Sequence, residues 1–125
     1  MKPAPFEYCR PESLDEALAV LLEFGDEALV MAGGLSLGAL LNMRMVRPKI
    51  IIDINGLETL SQILRVENYI RIGALVRQVD VLVSAECGAA LPLLIAGMHH
   101  LGHYQTRSRG TLGGSVAHAD PSAET

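Results

Sequence analysis

The sequence contains no tryptophan, and its two phenylalanines and three tyrosines leave aromatic residues at only 4% of 125. Half the residues are hydrophobic, so any core built from this chain must be aliphatic. Cysteine is nearly absent as well: Cys9 and Cys87 lie far apart, and neither has a second Cys or a metal-spaced His beside it. Neither a disulfide framework nor a zinc site is written there, and both read as ordinary thiols. Positive charge is scarce, with ten Lys and Arg against fourteen Asp and Glu for a net charge of -4. Nucleic-acid affinity rests on neutralising many phosphates, so DNA and RNA binding are set aside. No apolar run reaches the roughly 20 residues that span a bilayer, and the opening Met1-Lys2-Pro3-Ala4-Pro5 has no apolar signal core behind its lysine. No membrane insertion is predicted, and the cytoplasm is the expected location. Charged residues at 19% are too few for a disordered chain, which leaves one globular domain burying about two thirds of its surface on folding.

What is present reads first as a small α/β unit. Phe6 to Cys9 alternates apolar and polar before Pro11, which predicts a short strand and a turn. Ser13 and Glu16 form a capping-box pattern, and Leu14, Ala17, Leu18, Leu21 and Leu22 recur at the spacing of one helical face until Gly25. Ala28 to Ala32 is long enough for a buried strand and runs into Gly33-Gly34. Leu37, Leu40 and Leu41 predict a second helix, with Arg44 and Arg47 near its carboxyl end, where the dipole favours cations, and Pro48 as its stop. The run Ile50, Ile51, Ile52 suits a strand buried on both faces of a parallel sheet. Residues 1–55 thus read as β-α-β-α-β. After Gly56 the pattern changes: 62–66 and 69–72 predict a hairpin, and 76–83 and 88–101 predict helices, with Pro92 near a helix start. A second glycine-rich stretch then follows at Arg109 to Ser115. The last residues, His118 to Thr125, resemble the middle of a loop, and the chain is expected to be cut short there.

The two glycine pairs carry the chemistry. A phosphate bound by backbone needs several N–H groups aimed into one concavity, and a side chain there would block its approach. Gly33-Gly34 and Gly113-Gly114 both satisfy that need, and Ser36 and Ser115 add hydroxyl donors. An isolated pair more often makes only a tight connection. Two pairs, each near a Ser, favour a dinucleotide or phosphate site, although neither the Gly-Lys-Ser/Thr phosphate loop nor the G-x-G-x-x-G fingerprint is present. No metal site is expected: among His99, His100, His103 and His118, only His99 and His103 have i, i+4 spacing, and Gly102 interrupts any helix there. Ser36, Ser115 and Cys87 lack an activating base at a recognisable spacing, so no catalytic residue is expected. Arg107 and Arg109 read equally as phosphate or interface contacts and as a solvated basic loop.

Three ordered landmarks then resemble the FAD-binding medium subunits of molybdenum hydroxylases, the family of the carbon monoxide dehydrogenase medium chain and of the corresponding part of xanthine dehydrogenase. The first comprises Ala32-Gly33-Gly34-Leu35-Ser36-Leu37, then Asn42 to Pro48, then Asp53-Ile54. The second is Arg71-Ile72-Gly73-Ala74-Leu75, and the third runs from Arg107 to Pro121. The similarity covers Phe6 to Thr125 in order.

The resemblance implies an α/β (α+β) FAD-binding domain of the PCMH type. Residues 1–55 would form a first FAD-binding subdomain and 56–125 the amino-terminal part of a second, with FAD between them. By position it implies cofactor contacts from Met31, Ala32, Gly33, Gly34, Leu35, Ser36 and Leu37, from Thr111, Leu112, Gly113, Gly114 and Ser115, and from Glu124. It also implies an oxidoreductase subunit passing electrons from iron-sulfur clusters through FAD to an acceptor. The molybdenum-pterin and the iron-sulfur clusters would sit on large and small partner subunits. Leu35 stands where a polar residue is usual in the family, and Tyr104 and Thr106 replace smaller or apolar residues. Family members continue well beyond the position of Thr125, so these residues alone are expected to hold flavin weakly, to expose apolar surface and to be inactive. Two alternatives remain at this stage. One is another FAD-dependent oxidoreductase of the same superfamily, such as a UDP-N-acetylenolpyruvoylglucosamine reductase or vanillyl-alcohol oxidase relative. The other is a non-catalytic nucleotide-binding or interaction module.

Overall fold

A computed structural model describes all residues, 1–125. The chain divides into two compact units, Met1–Glu58 and Thr59–Thr125.

In the first unit the elements are β1 (Glu7–Cys9), α1 (Leu14–Phe24), β2 (Ala28–Met31), α2 (Leu35–Asn42) and β3 (Ile50–Asp53). The strands form a parallel sheet in the order β1-β3-β2, so the isoleucine run occupies its centre. Ile51 and Ile52 are 1% and 0% exposed, as a parallel strand covered on both faces requires. Ser13 caps α1 by accepting from the Glu16 N–H. The reciprocal half of the box is displaced by one residue, because the Glu16 carboxylate accepts from the Glu12 N–H instead of that of Ser13.

Two details differ from the sequence reading. The buried stripe of α1 is Ala17, with Val20, Leu21 and Phe24 half-buried, whereas Leu14, Leu18 and Leu22 are exposed. Both sets have helical spacing, and only packing on the sheet selects between them; the small Ala17 lets the helix approach β2 and β3. Pro48 does not stop α2. The helix ends at Asn42: the Met43 N–H bonds to the Ala39 carbonyl, the Arg44 N–H bonds to the Leu41 carbonyl, and Arg44 takes a left-handed conformation with φ 57°. Arg44 and Arg47 therefore lie beyond the helix and not in its last turn, and Arg44 Nε donates to the Lys2 carbonyl at 3.1 Å.

The second unit opens with the predicted antiparallel hairpin, β4 (Ile63–Val66) and β5 (Tyr69–Ile72), turned by a left-handed Glu67. Five short helices follow: α3 (Gln78–Val83), α4 (Ala85–Ala90), α5 (Pro92–Met98), α6 (Tyr104–Arg109) and α7 (Leu112–His118). The single helix expected over 88–101 is two, broken at Leu91 (φ -128°, ψ 54°). Pro92 lacks an N–H and disfavours helical backbone in the residue before it, so it begins α5. The core joins Val76, Val81, Cys87 and Met98 with Ile63, Ile70 and Ile72 of the hairpin. Cys87 is thus a packing residue.

Candidate cofactor site

In the first unit, β2 and β3 run parallel with Met31 paired to Asp53, so their carboxyl ends open on the same edge of the sheet. Ligands of open α/β sheets bind outside such an edge. From Met31 the chain passes through Ala32 and the buried Gly33 to Gly34, which stands at φ 73° as the N-cap of α2. Only glycine adopts that conformation without strain, and a Cβ at Gly34 would also press on Met31 Sδ at 3.3 Å. No side chain caps this helix. The first-turn N–H groups of Leu35, Ser36 and Leu37 have no acceptor within the helix, and the positive end of its dipole lies there. Leu35 and Ser36 are exposed and Leu37 is half-buried. Such a turn is suited chemically to a bound anion.

The same edge carries a hydrogen-bonded group that no motif marks. Asn55 Nδ2 donates to the Ala32 carbonyl at 2.7 Å and to Asp53 Oδ1 at 2.6 Å. Asp53 Oδ1 also accepts from the Asn55 N–H at 2.9 Å, and Asp53 Oδ2 accepts from the Tyr8 hydroxyl. Burial opposes ionisation of Asp53, but the Tyr8 hydroxyl, the two Asn55 donors and the Arg10 charge together hold its carboxyl below the ordinary value. The Tyr8 phenol is correspondingly raised, first by its bond to Asp53, then by desolvation and the carboxylate's charge. The Asp-x-Asn spacing at the end of an apolar strand is the one sequence signal that could have drawn attention to these residues.

The second glycine pair is built differently from the open loop that the sequence suggests. Gly113 and Gly114 lie in the first turn of α7, and every N–H of that turn already has an acceptor. Leu112 N–H donates to the Val76 carbonyl at 3.0 Å, Gly113 N–H to the Ala74 carbonyl at 3.2 Å, and Gly114 N–H to Thr111 Oγ1 at 3.0 Å. Gly113 is required by close approach: a Cβ there would fall 2.6 Å from Ala74 Cα and O. The backbone of the Arg71–Leu75 landmark is thus the shelf on which α7 rests. Gly73 is equally constrained, since a Cβ would fall 2.1 Å from the Leu60 carbonyl oxygen.

Ser115 Oγ lies 2.6 Å from Thr125 Oγ1, which ties the segment bearing the exposed Glu124 to α7. Arg107 is not a free phosphate ligand, because its Nη1 donates to the Leu101 and Gly102 carbonyls at 2.8 and 3.0 Å. His99 follows α5 and His103 precedes α6, with Gly102 at φ 46° between them, so the i, i+4 spacing is not that of one helix. The structure therefore assembles Met31–Leu37 in one unit, and Thr111–Ser115 with Glu124 in the other.

Residues 4–125 match the model of the FAD binding domain in molybdopterin dehydrogenase. The chain is 44% identical over 124 residues to the 6-hydroxypseudooxynicotine dehydrogenase complex subunit alpha of Paenarthrobacter nicotinovorans, covering 99% of this chain and 42% of that protein. It is 41% identical over 124 residues to the caffeine dehydrogenase subunit beta of a Pseudomonas species, with the same coverage. Among solved structures, a carbon monoxide dehydrogenase from Hydrogenophaga pseudoflava superposes with a TM-score of 0.93 at 39% identity, over 97% of this chain and 42% of that one. Quinoline 2-oxidoreductase from Pseudomonas putida gives 0.91 at 36% identity, over 96% and 42%. The chain thus spans less than half the length of these relatives, and its mixed α/β fold is that of part of a PCMH-type flavin domain. This chain belongs to the family of FAD-binding domains of molybdopterin dehydrogenases.

Proposed function

We propose that the chain holds FAD in an electron-transfer subunit of a molybdenum hydroxylase complex. A large molybdenum-pterin subunit and a small iron-sulfur subunit would deliver the electrons, and the complex would work in the cytoplasm. The observation that carries this is the uncapped N-terminus of α2 behind a left-handed Gly34, at the carboxyl edge of a parallel sheet. The cofactor's phosphates fit that donor set, and glycine at position 34 permits the left-handed turn that presents it. FAD, when bound, supplies the redox chemistry by accepting and releasing electrons. The chain's own residues bind and orient. The N–H groups of Leu35, Ser36 and Leu37 and the Ser36 hydroxyl would donate to phosphate, with Met31 to Gly34 shaping the turn. In the second unit, Thr111 to Ser115 and Glu124 would contribute by close approach and side-chain contact, because the first-turn N–H groups of α7 are already engaged. Residues 1–55 would form the first FAD-binding subdomain and 56–125 the amino-terminal part of the second, close to the division between the compact units after Glu58. The relatives' names, "complex subunit alpha" and "subunit beta", support a multi-subunit setting.

The test is a titration of the full-length protein with FAD by fluorescence quenching, with ADP as competitor. Saturable binding displaced by ADP is expected. Absence of FAD binding would refute the cofactor assignment, and binding that ADP cannot displace would move the phosphate site away from the α2 turn.

A further inference from the structure

We propose that Asn55 is a positioning residue for the first glycine turn, clamping its backbone from the neighbouring strand so that the α2 donors face an anion. This rests on the reading of that turn as a cofactor-phosphate site.

The turn has little of its own to hold it. Ala32, Gly33 and Gly34 bring no side-chain hydrogen bond, and α2 has no side-chain cap. Glycines lose the most conformational freedom on ordering, so a turn of this composition needs an outside anchor. Asn55 supplies one across the β2–β3 edge through its 2.7 Å bond to the Ala32 carbonyl. Fixing that carbonyl fixes the Ala32–Gly33 peptide plane, and with it the direction of the Gly33 N–H.

The orientation of the Asn55 amide follows from its surroundings. Both neighbours, the Ala32 carbonyl and Asp53 Oδ1, are acceptors, so the NH2 group must face them; the flipped amide would set three oxygens against one another. Asp53 is held in turn by Tyr8 from β1 and by the Asn55 backbone. A single relay therefore crosses all three strands, from Tyr8 on β1 through Asp53 on β3 and Asn55 just beyond it to the backbone following β2. An acid at the carboxyl end of a strand near a glycine turn is, in a dinucleotide fold, a natural ribose ligand. Here Asp53 is buried and both of its oxygens are occupied by protein donors, which assigns it to the clamp.

The test compares Asn55→Ala, the near-isosteric Asn55→Asp and Tyr8→Phe with the parent in the full-length protein. Hydrogen–deuterium exchange is followed in the peptide covering residues 31–37, with residues 63–72 of the hairpin as internal control, alongside FAD affinity. Both Asn55 variants should speed exchange in 31–37 and weaken FAD by about five- to tenfold, the scale of one lost hydrogen bond. The hairpin control should not move. Tyr8→Phe should act in the same direction with a smaller amplitude. Parent-like behaviour of Asn55→Asp would overturn the proposal, since that variant preserves shape but replaces the donors with a carboxylate that can bond neither the Ala32 carbonyl nor Asp53 and repels the latter. Unchanged exchange in both Asn55 variants would do the same, as would faster exchange with unchanged FAD affinity. A parent protein that fails to bind FAD would count against the cofactor reading instead, and the exchange comparison would then decide alone whether Asn55 sets the turn.

Discussion

Replacing Gly113 by Ala should destabilise the second unit, although the same change in an open helical position stabilises. A Cβ at Gly113 would lie 2.6 Å from Ala74 Cα and O and 2.7 Å from Ala74 Cβ. Carbon atoms settle at about 3.5–4.0 Å, so α7 would have to lift by about 1 Å from backbone that cannot rotate away. Overpacking of this kind costs about 1–3 kcal/mol. The shift would also strain the bonds from Gly113 to Ala74 and from Leu112 to Val76, each contributing about 1 kcal/mol. Ala recovers about 1 kcal/mol of helix propensity over Gly, leaving a net loss of about 3 kcal/mol. At this chain length that corresponds to a fall in Tm of about 12 °C, read by circular dichroism or calorimetry. Gly88→Ala is the control: it sits within α4 with nothing within 4 Å of the added methyl, and should raise Tm by about 4 °C. A Gly113→Ala protein as stable as its parent, beside a stabilised Gly88→Ala, would refute the claim that α7 rests directly on the Ala74 backbone.

Gly34→Ala should cost about 1–2 kcal/mol from the left-handed backbone alone, and should weaken FAD by more than its loss of stability explains, as shown by titration at a temperature where the variant is folded. Ser13→Ala should lower the urea midpoint by the equivalent of about 1 kcal/mol with an unchanged m value, because the Glu16 N–H loses its acceptor. The Tyr8–Asp53 pair gives two pH limits. The Asp53 pKa is depressed on folding, so its contribution is present above the unfolded pKa of about 4 and is lost as pH falls through the lower folded value. The Tyr8 pKa is raised, so its contribution is full below about 10 and is lost as pH rises through the higher folded value. Urea midpoints across that range should show Tyr8→Phe losing the alkaline limb and shifting the acid limb upward; a profile identical to the parent's would break the link.

The order of elements in the first unit was readable because each has a local cause. Ser13 and Glu16 start a helix, Gly25 ends it, and a run of three isoleucines has no stable place except a covered strand. The hairpin followed from two apolar runs separated by two residues. Boundaries were less legible. Pro48 looked like the end of α2, yet the left-handed Arg44 had already turned the chain, a conformation that no rule for Arg anticipates. Leu91 interrupts what the apolar spacing presents as one helix, and only the backbone before Pro92 reveals the break.

The sequence by itself determined the succession of strands and helices in the first unit and the hairpin of the second, the aliphatic core, and the presence of two glycine pairs, because propensity, capping and apolar periodicity act over a few neighbouring residues; the helices α6 and α7 were not legible in it. Tertiary structure decided what each pair is for. Both look alike as Gly-Gly near a Ser, but the N–H groups after Gly34 have no helical acceptor or side-chain cap, whereas those around Gly113 are taken by Val76, Ala74 and Thr111. Whether a backbone donor is free depends on which distant carbonyl packs against it. The same holds for Asn55, 23 residues from the carbonyl it holds, whose role exists only because β2 and β3 lie side by side.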